Sequence, residues 1–303
     1  MMKKTISNIG KASFLAVALM GTSACSSFIN MDTPNKNDRV QSVVIHYTQE
    51  NTAKTLKLFS TPEASVSAHF VVTEEKVYQL ADLNERAWHA GKSYWRGKSA
   101  LNDTSIGIEL VYEVDCNDVD NIGYAAEKMT CLYPDYPPAL VVNLIKVLDK
   151  IYQAYPNINP VNIVAHQDIA PTRKSDPGPK FPWQYVYSQG YGAWYNSDDY
   201  LIEYSKLESQ ELSSDIFYKA LEFYGYQPAQ TSNHTDIIKA FQTHFTPWLI
   251  SGEVSKESMA AVLALLKKYQ PDQYLELTSE MDGFMLLEPD NTQCPSQSEE
   301  CSQ

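Results

Sequence analysis

Runs of apolar and β-branched residues in the first two thirds of the chain predict the strands. Ser42–Thr48 (SVVIHYT) has the composition of a buried strand, and Ser67–Thr73 with Lys76–Leu80 predicts a hairpin around a short acidic turn. Ser105–Tyr112 (SIGIELVY) and Asn162–Gln167 (NIVAHQ) are two further apolar runs of strand length. Five strands are therefore predicted in this part of the chain.

Apolar positions spaced three and four residues apart predict helices in other segments. The longest such stripe lies in Pro138–Tyr155, between prolines that suit the start and the end of a helix. Strands together with a long helix favour an α/β domain. After about Tyr204 the pattern is helical, and it predicts a small three-helix C-terminal domain made of Ser213–Tyr226, Thr235–Phe245 and Ser255–Tyr269.

The amino-terminal residues have the pattern of an export signal. Lysines precede a short apolar run, Ala12–Met20, and small residues then lead to Cys25. This pattern resembles a bacterial lipobox, so we expect residues 1–24 to be a signal peptide, Cys25 to carry lipid and residues 25–40 to form a tether. The non-acidic Ser26 favours an anchor on the periplasmic side of the outer membrane. An ordinary secreted protein is the alternative.

The formal net charge of −13 limits the possible partners. Binding to nucleic acid depends on basic side chains that neutralise phosphates, so no nucleic-acid partner is expected. The charge is uneven, because residues 271–303 contain eight acidic residues and no Lys or Arg. We predict a solvated acidic tail there.

The five cysteines fit export from the cytoplasm. With Cys25 lipidated, two close pairs remain, and an oxidising compartment permits the disulfides Cys116–Cys131 and Cys294–Cys301. Neither pair has CxxC spacing, which disfavours a metal site built from cysteine.

Histidines within apolar strands are the first candidates for chemistry. His46 and His166 lie in two predicted strands, and Asp176 follows His166 by ten residues in a loop stiffened by prolines. Two imidazoles and one carboxylate would leave the fourth position of a zinc ion open for water. Hydrogen-bonded core histidines are the alternative, and the chain has no HExxH motif.

Four segments in a fixed order bear on these alternatives: VIHYT, AWHAG, LNDTSIGIEL and VAHQDIAPTRKSDPGPKFPW. Together they resemble the zinc-dependent N-acetylmuramoyl-L-alanine amidases, a family that includes the peptidoglycan recognition proteins. The resemblance covers Gln41–Tyr269, and the lipobox and helical end match its outer-membrane lipoprotein branch in Gram-negative bacteria. It implies a mixed central β-sheet flanked by helices, a catalytic domain over residues 41–205, and peptidoglycan or muropeptides as partners of a monomer.

The resemblance also implies roles for individual residues. It places zinc on His46, His166 and Asp176, a catalytic carboxylate at Glu109, and at Lys174 an ammonium that stabilises the oxyanion. Zinc would lower the pKa of a water molecule, and Glu109, whose own pKa an apolar strand should raise, would accept the proton of that water. The bond cut would be the amide between the lactyl group of N-acetylmuramic acid, ordinary or 1,6-anhydro, and L-alanine.

A second group of residues is expected near the substrate. By resemblance, Trp88 and His89 of AWHAG would line the groove and Asn102 would hydrogen-bond the substrate, while His69 is open between a substrate contact and a packing role. The helices of residues 206–270, with the segments YGYQ and IIKAFQTHF, resemble a peptidoglycan-binding-like domain.

Two alternative functions are also compatible with the sequence. One is a non-catalytic peptidoglycan-recognition module, and the other is a zinc peptidase that cuts within stem peptides. Family members that only bind typically lack a zinc ligand, whereas Asp176 is present here.

Overall fold

The structure, a computed structural model, describes residues 31–116, 131–228 and 233–285. The predicted signal peptide, Cys25 and the pair Cys294–Cys301 lie outside these residues. From Asp38 onward the described residues form one compact unit, and the division into a catalytic and a helical domain stays a prediction. None of the described helices combines the length and the apolar character that crossing a bilayer requires.

A five-stranded sheet forms the centre of the compact unit. The strands of the described residues are β1 (Ser42–Tyr47), β2 (Phe70–Val72), β3 (Val77–Gln79), β4 (Tyr94–Trp95), β5 (Lys98–Ser99), β6 (Ser105–Leu110), β7 (Asp115–Cys116), β8 (Cys131–Leu132) and β9 (Ile163–Ala165). The order of strands in the central sheet is β3-β2-β6-β1-β9. Within the central sheet β3 is an antiparallel edge strand and the other strands are parallel. Every residue of β1, β6 and β9 is buried, as continuous apolar runs in a parallel sheet predict.

Helices flank the sheet and fill the carboxyl-terminal half. They are α1 (Thr52–Phe59), α2 (Pro138–Ala154), α3 (His166–Ile169), α4 (Trp183–Ser188), α5 (Ser197–Lys206), α6 (Ser214–Tyr224), α7 (His234–Phe245), α8 (Lys256–Tyr269) and α9 (Pro271–Met285). Helix α2 presents to the core a stripe of fully buried residues at three- and four-residue spacing: Leu140, Leu144, Leu148 and Ile151.

The predicted fold class, a mixed sheet flanked by helices, is confirmed, and each predicted strand and helix is present with ends shifted by at most three residues. Two site residues fall outside the strands predicted for them. His69 precedes β2, and His166 begins α3 instead of ending β9. Of the two predicted disulfides, the one within the described residues is present, since Cys116 of β7 is bonded to Cys131 of β8.

The helical end is larger than the three helices predicted, because α5 and α9 pack with α6 and α8. The prediction of an acidic tail from residue 271 is wrong for its first half, which forms α9. Leu277 of α9 is fully buried, and Glu276 and Glu280 pair with Lys219 on α6. Glu276 and Glu280 therefore lie on a different side of the helix from Leu277, which packs in the core. The rest of the predicted tail lies outside the described residues.

Candidate metal centre

Three parallel strands bring predicted site residues to one edge of the sheet. His46 of β1 pairs in register with Glu109 of β6, and Ile45 pairs with Ala165, the residue before His166. Side chains alternate between the two faces along a strand, so neighbours in register in parallel strands share a face. All three polar residues lie near the carboxyl ends of their strands, where open α/β sheets place their ligand sites.

The loop after β9 folds back and brings Asp176 to the same place. The amide of Gln167 donates a hydrogen bond to the carbonyl of Asp176 (3.0 Å), which closes the loop at its base. The next peptide bond, Asp176–Pro177, is cis, and the Tyr136 hydroxyl donates to the carbonyl of Pro177 (2.8 Å). Hydrogen bonds on both sides therefore hold Asp176 in position.

The three predicted metal ligands face one another. Nδ1 of His46 lies 2.8 Å from Nδ1 of His166 and 3.0 Å from Oδ2 of Asp176, and Nδ1 of His166 lies 3.0 Å from the same oxygen. All three side chains are buried. Around a tetrahedral zinc ion with bonds of about 2.0–2.1 Å, neighbouring donors lie roughly 3.3 Å apart. The donor set fits zinc after shifts of a few tenths of an ångström.

The surroundings favour the protonation states that metal ligands need. Burial lowers the pKa of His46 to about 4, and the charge of His166 lowers it in the same direction. Burial by itself would raise the pKa of Asp176, but the charges and hydrogen bonds of His166 and His46 outweigh burial and hold that pKa below its ordinary value. At neutral pH the site therefore presents a neutral imidazole at position 46 and an ionised carboxylate at 176.

Glu109 is the buried carboxylate beside this cluster. Burial raises its pKa well above the ordinary 4.5, the charge of Asp176 raises it further, and the ammonium of Lys174 acts in the opposite direction. Lys174 itself is exposed in the loop before Asp176. A carboxylate with a raised pKa is suited to accept a proton near neutral pH.

The raised pKa of Glu109 has a consequence for stability. A carboxyl whose pKa is higher in the folded than in the unfolded state costs stability as pH rises from the unfolded value through the folded value. In the metal-free protein at about pH 7, Glu109→Gln should therefore unfold at a higher temperature than wild type, with roughly 2–4 °C for each kcal/mol regained. Thermal unfolding followed by circular dichroism measures this. At about pH 4 both side chains are uncharged and the difference should vanish; a difference that persists there would contradict the explanation.

The residues predicted to line a substrate groove have different positions. Trp88 is 52% exposed and stays available to a ligand. His89 is buried behind the cluster, with Nδ1 3.0 Å from Nε2 of His46. The Asn102 side-chain oxygen accepts hydrogen bonds from the backbone amides of His89 (3.1 Å) and Ala90 (2.7 Å). Both side chains are thus buried beside the His/His/Asp cluster and bonded to other residues of the protein, and their predicted contact with substrate stays a prediction.

His69 also lies inside the protein. It is fully buried, and its Nδ1 accepts a hydrogen bond from the amide of Gly107 (3.0 Å) while Nε2 donates to the carbonyl of Glu85 (3.2 Å). Both ring nitrogens are thus used to join β6 and a loop to the start of β2. Of the two roles left open by the sequence, the structure favours packing.

One buried carboxylate near the site was missed by the sequence analysis. Asp168 of α3 accepts hydrogen bonds from the amide of Ala165 (2.8 Å), from Nδ1 of His244 (2.7 Å) and from the hydroxyl of Tyr226 (2.7 Å). It therefore ties the turn that carries His166 to the helical end of the chain. The local signal was an acidic residue inside the apolar context of VAHQDIA; its two distant partners left no signal in the sequence.

Removing one of these partners should destabilise the protein. Tyr226→Phe leaves the buried Asp168 carboxylate without one donor, which we expect to lower the free energy of unfolding by about 1–3 kcal/mol. Urea denaturation of the full chain measures this. Tyr185→Phe, which alters an exposed tyrosine of α4, is the matched control and should change stability by less than about 0.5 kcal/mol. Equal effects of the two variants would show that the hydroxyl of Tyr226 contributes nothing.

The sheet, its carboxyl edge and the His/His/Asp set define a class: α/β proteins with three side chains that could hold one metal ion beside a buried carboxylate. The family described as N-acetylmuramoyl-L-alanine amidase (Amidase_2) matches residues 36–179. N-acetylmuramoyl-L-alanine amidase AmiD of Escherichia coli (strain K12) is 37% identical over 248 residues, which is 77% of this chain and 85% of AmiD. The chain belongs to the Amidase_2 family of N-acetylmuramoyl-L-alanine amidases.

Two solved structures extend the likeness beyond the family match. A complex of Escherichia coli AmiD with the substrate anhydro-N-acetylmuramic acid-L-Ala-D-gamma-Glu-L-Lys has a TM-score of 0.70 and 33% identity, over 79% of this chain and 93% of that one. AmpDh3 of Pseudomonas aeruginosa in complex with anhydromuramic pentapeptide has a TM-score of 0.71 and 32% identity, over 82% and 99% of the two chains. Each of these structures matches about four fifths of this chain, so the shared fold includes more than the central sheet.

Proposed function

We propose that this protein is a zinc-dependent N-acetylmuramoyl-L-alanine amidase. Its substrates are peptidoglycan and muropeptides, in which it hydrolyses the amide bond between N-acetylmuramic acid, ordinary or 1,6-anhydro, and L-alanine. The observation that carries the proposal is the convergence of His46, His166 and Asp176 beside the buried Glu109. Membership of the amidase family, and the anhydromuramyl peptides in the AmiD and AmpDh3 complexes, support the choice of substrate.

The residues of the chain divide the chemistry between them. His46, His166 and Asp176 would hold zinc, which when bound supplies an acidified water and a polarised carbonyl. Glu109 takes the proton of the attacking water and returns it to the amine of the leaving L-alanine. The ammonium of Lys174 stabilises the negative charge that develops on the lactyl carbonyl oxygen.

Product analysis tests the proposal. Zinc-loaded protein is incubated with purified sacculi and with anhydromuropeptides, and the products are identified by mass spectrometry. Free stem peptides that begin with L-alanine support the amidase. Intact substrate would indicate a recognition module, and shortened stems would indicate a peptidase. Exhaustive chelation should abolish release and added zinc should restore it; release that survives chelation would overturn the zinc centre.

The cellular location is a separate proposal. We infer that Cys25 carries a lipid anchor and that the protein acts as a monomer on the periplasmic side of the outer membrane. The basic residues, short apolar run and small residues before Cys25 support this. Metabolic labelling with a fatty acid tests it, since label should be incorporated in wild type and lost in Cys25→Ser. Label in both, or in neither, would contradict the anchor.

A further inference from the structure

The two candidate metal histidines share an unusual feature, because their outer nitrogens contact consecutive residues of one segment. Nε2 of His46 lies 3.0 Å from Nδ1 of His89. Nε2 of His166 lies 3.2 Å from the carbonyl oxygen of Ala90. A single short segment, Ala87–Gly91, therefore controls the side of each imidazole that faces away from the metal site.

The hydrogen bonds of Ser105 determine which atoms donate and which accept in this group of residues. Its Oγ lies 2.6 Å from the carbonyl oxygen of Leu101, and two oxygens this close share a hydrogen. A carbonyl has no hydrogen to give, so the Ser105 hydroxyl donates to Leu101. The same Oγ lies 3.2 Å from Nε2 of His89. Since its only hydrogen is already used, Ser105 must accept, and Nε2 of His89 carries the hydrogen.

His89 passes this direction on to His46. The His89 ring is buried, and among the described residues it hydrogen-bonds only to Ser105 and His46, so no carboxylate is bonded to it that would favour the charged form. A neutral ring with its hydrogen on Nε2 has a bare Nδ1, which accepts a hydrogen bond from Nε2–H of His46. Nδ1 of His46 is then the nitrogen that faces Asp176 and His166 and is left for a metal.

The carbonyl of Ala90 acts in the same way on the second ligand. A carbonyl oxygen can only accept, so Nε2 of His166 donates to it and Nδ1 of His166 is left as the nitrogen available to a metal. Nη2 of Arg173 donates to the same carbonyl (3.1 Å) and keeps it in place. Both ligand histidines thus present Nδ1 and use Nε2 as a donor.

The segment is built to hold the His89 ring in this position. The Asn102 side chain accepts hydrogen bonds from two successive amides of the segment. On the other side lies Gly107 of β6, where an added Cβ would come within 2.3 Å of Cγ of His89. Any side chain at position 107 would displace the ring, so a glycine within this buried strand makes room for His89.

We propose that Ala87–Gly91 is a positioning device for the metal centre, in which the hydrogen-bond chain Leu101–Ser105–His89 fixes the tautomer of His46 so that its Nδ1 faces the metal. His89 is therefore a positioning residue that acts through His46. The inference deepens the proposed function and rests on the zinc centre proposed there. Partners of metal-bound histidines typically affect metal affinity by about 10–100-fold.

A pair of variants with nearly the same shape separates this role from packing. Asparagine and leucine share the same branched arrangement of side-chain heavy atoms, but only asparagine carries an oxygen near the position of Nδ1 that can accept a hydrogen bond from Nε2–H of His46. His89→Leu should lower the zinc affinity by about 10–100-fold, whereas His89→Asn should lower it by less than roughly tenfold. Competition with a chromophoric chelator on the full chain measures both affinities. Equal zinc affinity in the two variants would overturn the proposal.

A second measurement uses the wild-type protein and so does not depend on whether a variant folds. In the zinc-loaded wild type, ¹⁵N NMR of the His46 ring should show the hydrogen on Nε2 and the metal on Nδ1; a hydrogen on Nδ1 with the metal on Nε2 would overturn the proposal. His69→Gln is the matched control, because His69 is equally buried but bonds to backbone groups, and zinc affinity should stay at the wild-type value. A loss equal to that of His89→Leu would assign the effect to packing. Should the wild type bind zinc as expected and release no stem peptide, the proposed function fails and this inference stands.

Discussion

Changing Glu109 to glutamine should lower kcat by about 10²–10⁴-fold, the range typical of losing a general acid–base group. The reason is that glutamine keeps the size of the side chain but cannot accept the proton of the attacking water or return it to L-alanine. The zinc affinity should stay close to wild type, since Glu109 is not one of the three converging donors. Loss of turnover with retained zinc is therefore the expected signature.

The measurement combines kinetics on an anhydromuropeptide with zinc titration of the same protein samples. Glu113→Gln is the matched control, because Glu113 is exposed four residues further along the chain and the substitution is chemically identical. It should leave kcat unchanged. Near-normal turnover in Glu109→Gln would mean that another group transfers the proton. A large loss of zinc in that variant would instead make Glu109 a ligand.

The predicted strands agree with the structure because burial and hydrogen bonding impose the same pattern on the sequence. The run Ser42–Tyr47 lies between two parallel strands and is buried along its whole length, so a mainly apolar composition is expected there. A histidine or a glutamate in such a run is conspicuous. For this reason His46 and Glu109 could be selected from the sequence before any contact was known.

The roles of His89 and Asp168 could not be predicted, because they depend on contacts between segments that are distant in the sequence. His89 meets Ser105 and His46 across a sheet, and Asp168 meets Tyr226 and His244 across more than fifty residues. Neither set has a period or spacing that local patterns reveal. The resemblance to a family indicated that AWHAG mattered, but it suggested a substrate contact. Only the directions of the hydrogen bonds indicate support of a ligand.

The acidic composition of the segment after residue 270 does not indicate its structure. Its many acidic residues suggested a solvated tail, yet Tyr274, Leu277 and Met281 lie on the side of α9 that packs on the protein. The spacing of these three residues is helical, and the surrounding charge hid it. A hydrophobic stripe therefore deserves more weight than net charge in deciding whether a segment folds.

The helical end has a structural role that its resemblance to a binding domain does not suggest. His244 of α7 and Tyr226 both donate to Asp168, only two residues after His166. Arg96 beside the β4–β5 hairpin donates to the carbonyl of Tyr224 (3.0 Å), which adds a second attachment. The helices thus hold the turn that carries the candidate ligand His166.

The second large effect is expected from Asp176→Ala. This change removes the donor set's negative charge and leaves two imidazole nitrogens 2.8 Å apart to hold a dication. Zinc affinity should fall by more than the roughly 10–100-fold that follows loss of a partner of a ligand, and amidase activity should fall with it. Chelator competition measures the affinity, and release of stem peptide measures the activity at a fixed zinc concentration.

The same substitution should also change the folding stability of the metal-free protein, and the size of this change should depend on pH. The pKa of Asp176 is lower in the folded state, because the charges and hydrogen bonds of His166 and His46 outweigh the opposing effect of burial. Such a carboxylate stabilises the fold above its unfolded pKa of about 3.9, and this stabilisation disappears as pH falls through the lower, folded value. Asp176→Ala should therefore be less stable than wild type at neutral pH, and the gap should narrow in acid. Asp135→Ala removes an exposed aspartate that pairs with Lys180 and should show neither effect. Wild-type zinc affinity in Asp176→Ala would place the metal on other donors, because two imidazoles alone cannot replace the charge that the carboxylate supplies.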